Sequence, residues 1–357
     1  MNRIVWEDME NVYSRSENWD WLRGKRVLIT GAYGMVASYV VFFLIYLNET
    51  HPDMDIDILA MGRSEEKFRA RYGEYCDRPY FCRISQDICA PMTIEGNVDY
   101  IFHAASYASS NFYGAAPVET LLPNAIGTHY LLELAREKAV KGFLFFSSGE
   151  VYGNVADVCK ATTEQDIGVI DPMELRSCYA ESKRMGETMC KAWQHEFGVP
   201  AIVVRLGHTY GPTMDLQNDP RVFAEFVKNV VNGQNIVMKS DGTTTRGFCY
   251  LADALDALFR VLQKGTPGEA YNLFNDRSIL QIAELAHILA AFYPEKGIKV
   301  VKKDREPGAQ YMESTIKNTP AISSDKLRGL GWESQFDAKA GFFRTVKSYE
   351  ADAQKDK

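Results

Sequence analysis

The sequence predicts an α/β fold: a doubly wound parallel sheet covered by helices on both faces, with a smaller mixed α/β C-terminal lobe. Three observations carry this. From Lys25 onward, short apolar runs alternate with amphipathic segments, the pattern of parallel strands joined by helical crossovers. The first apolar run leads straight into a glycine-rich turn, Thr30-Gly31-Ala32-Tyr33-Gly34-Met35-Val36-Ala37. After Gly211 the alternation gives way to longer amphipathic helices with short strands between them.

In chain order, the expected strands are Arg26–Thr30, Asp57–Met61, Tyr100–Ala104, Gly142–Ser147 and Ala201–Leu206. Between them, helical patterns run over Tyr33–Leu47, Leu121–Glu137 and Tyr179–Phe197. Glycine and proline punctuate the joints, as at Gly198-Val199-Pro200 and Gly265-Thr266-Pro267-Gly268. Residues 1–24, polar but holding Trp6, Trp19 and Trp21, read as an extension that packs on the domain. The dinucleotide-binding domain is expected over 25–206 plus about 240–262. The smaller lobe takes 207–239 plus 263–350, with helices at Arg221–Val231 and Ile279–Phe292. The charged tail from Glu350 to Lys357 is expected to fray.

Composition narrows the function classes. With 357 residues, 46% hydrophobic and 24% charged, the chain has the make-up of a soluble globular protein. A net charge of -7 without a Lys/Arg-rich run argues against nucleic acid as a partner. The seven cysteines form no C-x-x-C pair and fit reduced thiols. No H-E-x-x-H occurs among the six histidines, so no metal site is expected. The apolar run Met35–Leu47 is too short to span a bilayer, and the N-terminus lacks the apolar core of a signal peptide. The expectation is a cytoplasmic protein with no membrane partner.

The glycine-rich turn has the strand–turn–helix setting of a Rossmann dinucleotide fingerprint. Gly31 permits the tight turn, Gly34 lets backbone approach a pyrophosphate, and Ala37 lets helix and sheet pack closely. Tyr33 and Met35 share the cofactor site, and the helix N-terminus faces the phosphates. The end of the second strand, Leu59-Ala60-Met61-Gly62-Arg63-Ser64, offers no carboxylate for a ribose 2′-hydroxyl. Arg63 could meet a 2′-phosphate or sit solvated at the surface. The reading is NAD or NADP, leaning to NADP.

The second chemical signal is Tyr179-Ala180-Glu181-Ser182-Lys183. Residues four apart on a helix share a face. A lysine ammonium beside the phenol favours the phenolate and lowers its pKa. Tyr179 could then take a proton from an alcohol while hydride leaves for a nicotinamide.

With both features in place, the chain resembles the extended short-chain dehydrogenase/reductases of the nucleotide-sugar epimerase/dehydratase type, over about residues 25–275. Asp87-Ile88 resembles the family's adenine-contacting segment. His103-Ala104-Ala105-Ser106 matches the stretch lining the cofactor, and Asn124-Ala125-Ile126-Gly127-Thr128 its helix asparagine motif. Ser147-Ser148-Gly149-Glu150-Val151-Tyr152-Gly153 matches the segment with the active-site hydroxyl. The resemblance implies that Ser148 bonds the reacting hydroxyl, Tyr179 is the base, and Lys183 lowers the tyrosine pKa and holds the nicotinamide ribose. It also implies that Ser109, Arg221 and Arg246 contact substrate, Arg246 on the diphosphate.

Within the group, Arg176-Ser177-Cys178-Tyr179, Thr209-Tyr210-Gly211-Pro212 and Arg221-Val222-Phe223 look most like UDP-glucuronate decarboxylases, with dTDP-glucose 4,6-dehydratases close behind. The chain departs from both. Dehydratases place Asp then Glu after the active-site hydroxyl, and decarboxylases place Ser then Glu; here stand Gly149 and Glu150. Glycine cannot protonate a leaving hydroxide, so 4,6-dehydration is disfavoured, while Glu150 is kept as a catalytic base or orienter. His208 replaces an asparagine on substrate phosphate and could carry charge near pH 6.5.

The resulting expectation is a nucleotide-sugar enzyme that oxidises a ring hydroxyl, acting as a decarboxylase first and a 4-epimerase second. A net reductase of a nucleotide-linked keto sugar is the rival. A non-catalytic nucleotide-binding or redox-sensing protein is the alternative of another class. The resemblance further implies a homodimer.

Overall fold

The computed structural model describes residues 1–16, 18–157, 159–303 and 321–355. Its centre is a seven-stranded sheet in the order Ala270–Leu273, Ala201–Leu206, Gly142–Ser148, Tyr100–His103, Arg26–Thr30, Asp57–Gly62, Phe81–Ser85. Every pairing within it is parallel. The order reverses between Arg26–Thr30 and Tyr100–His103, so a crevice opens beyond the carboxyl ends of these two strands.

Five strands fall where the apolar runs predict them. Phe81–Ser85 was not expected, because an edge strand carrying exposed Cys82 and half-buried Arg83 lacks a continuous apolar run. Nor was Ala270–Leu273, only four residues long, which lies inside the span expected to form the smaller lobe. Helix Leu251–Lys264 crosses to it with one face fully buried. The helical pattern Leu121–Glu137 is broken into Pro117–Leu122, a π turn at Pro123–Gly127, and Thr128–Glu137. Pro123 has no N–H to continue the ladder, which accounts for the break.

Helix Met35–Thr50 is buried over almost its whole length, lying between the sheet and other helices. Among the described residues no helix is long and apolar enough to cross a membrane. The N-terminal extension contributes helix Arg3–Ser14, held by a buried polar knot. Asp8 accepts from the hydroxyls of Tyr39 (2.7 Å) and Tyr250 (2.6 Å) and from Arg344 Nε (2.9 Å). Arg344 belongs to the last helix, Ala338–Lys355, so the two chain ends are joined. That helix continues through Glu350 to Lys355 where fraying was expected.

The remaining residues build a three-stranded sheet from His208–Tyr210, Thr245–Tyr250 and Ile279–Gln281, and a two-stranded one from Ile236–Met238 and Val300–Lys302. Helices Val222–Val231 and Ile282–Ala290 pack on each other beside them. Residues 304–320, part of the span assigned to the smaller lobe, lie outside the described residues.

Candidate active site

A cleft of about 1990 Å³ opens at the carboxyl ends of the central strands. Its wall includes Gly31, Tyr33, Gly34, Met35, Ala104, Ser106, Ser109, Ser148, Glu150, Tyr179, Lys183, His208, Arg221 and Arg246. Residues 150 positions apart in sequence meet there because each follows a neighbouring strand.

Five expected cofactor residues are not on that wall. Ala105 lies behind Gly31. Asn124 is fully buried and donates to Thr120 O (3.1 Å) and Ser182 Oγ (3.0 Å), fastening the π turn to helix Cys178–Phe197. Ile88 packs against Gly127, and Asp87 accepts from the Cys89 amide at 2.8 Å. Arg63 turns its guanidinium to the Tyr107 hydroxyl and lies over that ring, 5.5 Å from its centroid.

The turn fits a dinucleotide. Gly31 has φ 63°, and a Cβ there would stand 2.8 Å from Ala105 Cα. The Thr30 hydroxyl holds that neighbouring loop by accepting from the amides of Ala104 (3.2 Å) and Ala105 (3.1 Å). Gly34 begins helix Met35–Thr50 with no side-chain cap, which leaves first-turn amides for an anion. On the facing loop, the buried Ser106 Oγ has no partner among the described residues, the condition of a polar group that a bound ligand would satisfy.

Tyr179 lies in the first turn of helix Cys178–Phe197, almost fully buried. Its ring stacks on Tyr113, with centroids 4.8 Å apart and planes 15° from parallel. Arg176 lies over the Tyr113 ring as well, its Cζ 4.4 Å from the centroid. The same guanidinium grips Glu150 with Nη1 to Oε2 at 2.7 Å and Nη2 to Oε1 at 2.9 Å. Ser148 Oγ accepts from the Glu150 amide at 3.2 Å, and its side chain also bonds Tyr179. Neither Tyr113 nor the role of Arg176 was foreseen. Arg176 had a signal, standing three residues before Tyr179, but Tyr113 had none.

The charge balance differs from the expectation. Burial pushes the Tyr179 phenol above the usual range, and the Glu150 carboxylate pushes the same way. Ser148 and Arg176 pull it down. The Lys183 Nζ lies 5.8 Å from the centroid of the Tyr179 ring. Lys183 donates to the Phe146 carbonyl at 2.6 Å. Its ammonium is itself lowered by burial to about 7, partly opposed by Glu187. Both groups have lost their hydration, which works against the charged form of each.

His208 is corrected too. Burial, with Arg246 and Arg221 nearby, lowers its pKa to about 3, which favours the neutral imidazole over the charged form. Arg221 is held by Asp219 (Nε to Oδ1, 2.8 Å) and donates to Thr209 O at 2.9 Å. Arg246 reaches Thr245 O at 2.8 Å. Two guanidinium groups and a neutral imidazole thus share one side of the cleft.

The sequence profile of the NAD dependent epimerase/dehydratase family matches residues 27–273. The chain belongs to that family. It is 31% identical over 316 residues to UDP-glucuronic acid decarboxylase 6 of Arabidopsis thaliana, covering 88% of this chain and 86% of the relative. It is 26% identical over 339 residues to the dTDP-D-glucose 4,6-dehydratase of Bos taurus, covering 91% and 88%. Among solved structures, UDP-glucose 4-epimerase of Thermotoga maritima with UDP-glucose superposes with TM-score 0.74 at 22% identity, over 92% of this chain and 99% of that one. The family's fold accounts for the seven-stranded parallel sheet. Beside Ser148 this family member carries Gly149 and an ion-paired Glu150.

Proposed function

We propose that the protein modifies a nucleotide-linked sugar by oxidising a ring hydroxyl to a ketone and reducing it again in place, with epimerisation at C4 as the net outcome. The observation that carries this is the meeting of Tyr179, Ser148 and Lys183 on one wall of the cleft that also holds the glycine turn. NAD would lie along Gly31, Gly34 and Ser106 and supply the hydride acceptor. Ser148 donates to the reacting oxygen, and Tyr179 exchanges the proton. Lys183, fully buried with an ammonium that is readily deprotonated, positions the ribose. The guanidinium groups of Arg221 and Arg246 neutralise the diphosphate.

Epimerisation is favoured over decarboxylation by two neighbours of Ser148. Gly149 has no side chain to act on a departing group, and both Glu150 oxygens are committed to Arg176. Decarboxylation is the second reading, favoured by the 31% identity to a decarboxylase. Incubating the protein with NAD and, separately, UDP-glucose, UDP-xylose and UDP-glucuronate tests both. The C4 epimer of any of them supports the proposal. UDP-xylose and CO2 from UDP-glucuronate support the second reading. Stoichiometric loss of added reduced cofactor would mark a net reductase instead.

NAD rather than NADP is proposed, because the family is NAD dependent and Arg63 is engaged by Tyr107. A two-fold dimer is supported by exposed Val118, Leu121 and Leu122 on Pro117–Leu122, beside Met185 on the adjoining helix. Light scattering at twice the 40.3 kDa chain mass would bear this out. Seven free cysteines fit the reducing cytoplasm.

A further inference from the structure

Gly149 and Gly207 are far apart in sequence, yet one ring fills the space each leaves. A Cβ on Gly149 would stand 2.5 Å from Phe274 Cζ, and a Cβ on Gly207 2.4 Å from Phe274 Cδ1. Neither contact is possible for a real side chain, so both positions exclude any residue larger than glycine while Phe274 stays. The backbone that carries the ring is held on both sides. The Phe274 amide donates to Ser324 Oγ at 3.1 Å, and the same hydroxyl donates back to the Phe274 carbonyl at 2.7 Å. Ser324 is fully buried.

Phe274, Gly149 and Gly207 all lie on the cleft wall, with Ile322 next to them. The Ile322 Cδ1 is 3.4 Å from the Gly149 Cβ position, in ordinary contact. Its segment is fixed by Thr162, whose amide donates to Ala321 O at 2.7 Å. The wall one residue beyond Ser148 is therefore aromatic and aliphatic. Its polar component is the small buried Thr162 hydroxyl, which has no partner among the described residues. The nearest charge in sequence is the Glu150 carboxylate, itself negative and already paired.

We propose that Phe274, with Ile322, selects the exocyclic substituent next to the reacting hydroxyl, admitting a sugar that carries hydrogen or a small neutral group at C5 and rejecting one that carries a carboxylate. This rests on the reading of Ser148 and Tyr179 as the residues that hold the reacting C4 hydroxyl. The Cα of Gly149 is one peptide step, about 3.8 Å, from that of Ser148, so on this reading the wall at Gly149 meets a substituent on a ring carbon next to the reacting one. C3 carries a hydroxyl that needs hydrogen bonds, whereas C5 is where sugars vary from hydrogen to carboxylate. An anion against this wall loses hydration that a single neutral hydroxyl, that of Thr162, replaces only in part.

The test is equilibrium binding of UDP, UDP-xylose, UDP-glucose and UDP-glucuronate to the NAD-loaded full-length protein, which differ only in the sugar and its C5 group. UDP-xylose is expected to bind at least about tenfold tighter than UDP-glucuronate, with UDP-glucose between them. Phe274→Ala is expected to shrink that ratio about tenfold while circular dichroism and NAD affinity hold. Should Phe274→Ala not fold, Phe274→Leu keeps an apolar core residue and is expected to shrink the ratio less. UDP-glucuronate binding as tightly as UDP-xylose overturns the proposal, as does an unchanged ratio in a folded variant. If NAD binds but UDP and all three sugars do not, the nucleotide-sugar reading itself falls.

Discussion

The Glu150 carboxylate and the Arg176 guanidinium form a two-point ion pair, 2.7 and 2.9 Å, directly behind the Tyr113–Tyr179 stack. The two act on the Tyr179 phenol in opposite directions, Glu150 raising its pKa and Arg176 lowering it. After burial, the pair is thus among the influences on the proton affinity of the residue proposed to exchange the substrate proton.

Arg176→Ala is expected to leave Glu150 uncompensated, raise the Tyr179 pKa further and move the acid limb of the pH–rate profile to higher pH. Glu150→Gln is expected to move it to lower pH. The unpaired carboxylate should also cost on the order of 2 kcal/mol in urea unfolding. Arg176→Lys should not restore the profile, because a single ammonium cannot hold both oxygens. Profiles of the three variants that coincide with the wild type would remove the pair from the mechanism.

Lys183 gives a stability prediction with a definite sign. Its folded pKa of about 7 lies below the ordinary lysine value, so between the two the unfolded chain binds more protons than the folded one. Stability from this group thus rises with pH across that window and is lost as pH falls toward 7. Lys183→Met should abolish turnover, flatten that rise, and leave the melting temperature at pH 7 equal to or above that of the wild type. A melting temperature that falls at every pH would show that the buried ammonium stabilises the fold.

Much of this arrangement was legible in the chain. The strand ends at Thr30, His103 and Ser148 carry the glycine turn, the small-residue loop and the active-site hydroxyl, and local patterns reveal all three. What the sequence concealed were relations between distant segments. Tyr113 becomes part of the site only when helix Ser110–Ala115 lies against helix Cys178–Phe197. Phe274 acquires meaning only because Gly149 and Gly207 arrive beside it. The pKa directions at Tyr179, Lys183 and His208 depend on burial, which spacing does not encode.

The extension at residues 1–24 has a testable structural role. Asp8 is fully buried beneath Tyr39, Tyr250 and Arg344. Asp8→Ala would leave the half-buried Arg344 facing two unpaired hydroxyls, at an expected cost of about 3 kcal/mol. Urea unfolding measures this directly; a loss well under 1 kcal/mol would show that the knot contributes little.

The central claim is that Tyr179 exchanges the proton while hydride moves between sugar and nicotinamide. Its most direct test is the absorbance of reduced nicotinamide on mixing NAD-loaded protein with the nucleotide sugar it binds most tightly, for the wild type and Tyr179→Phe. The account expects reduction in the wild type and a rate at least about 100-fold lower in Tyr179→Phe, with NAD affinity unchanged. Equal rates in the two proteins would contradict it.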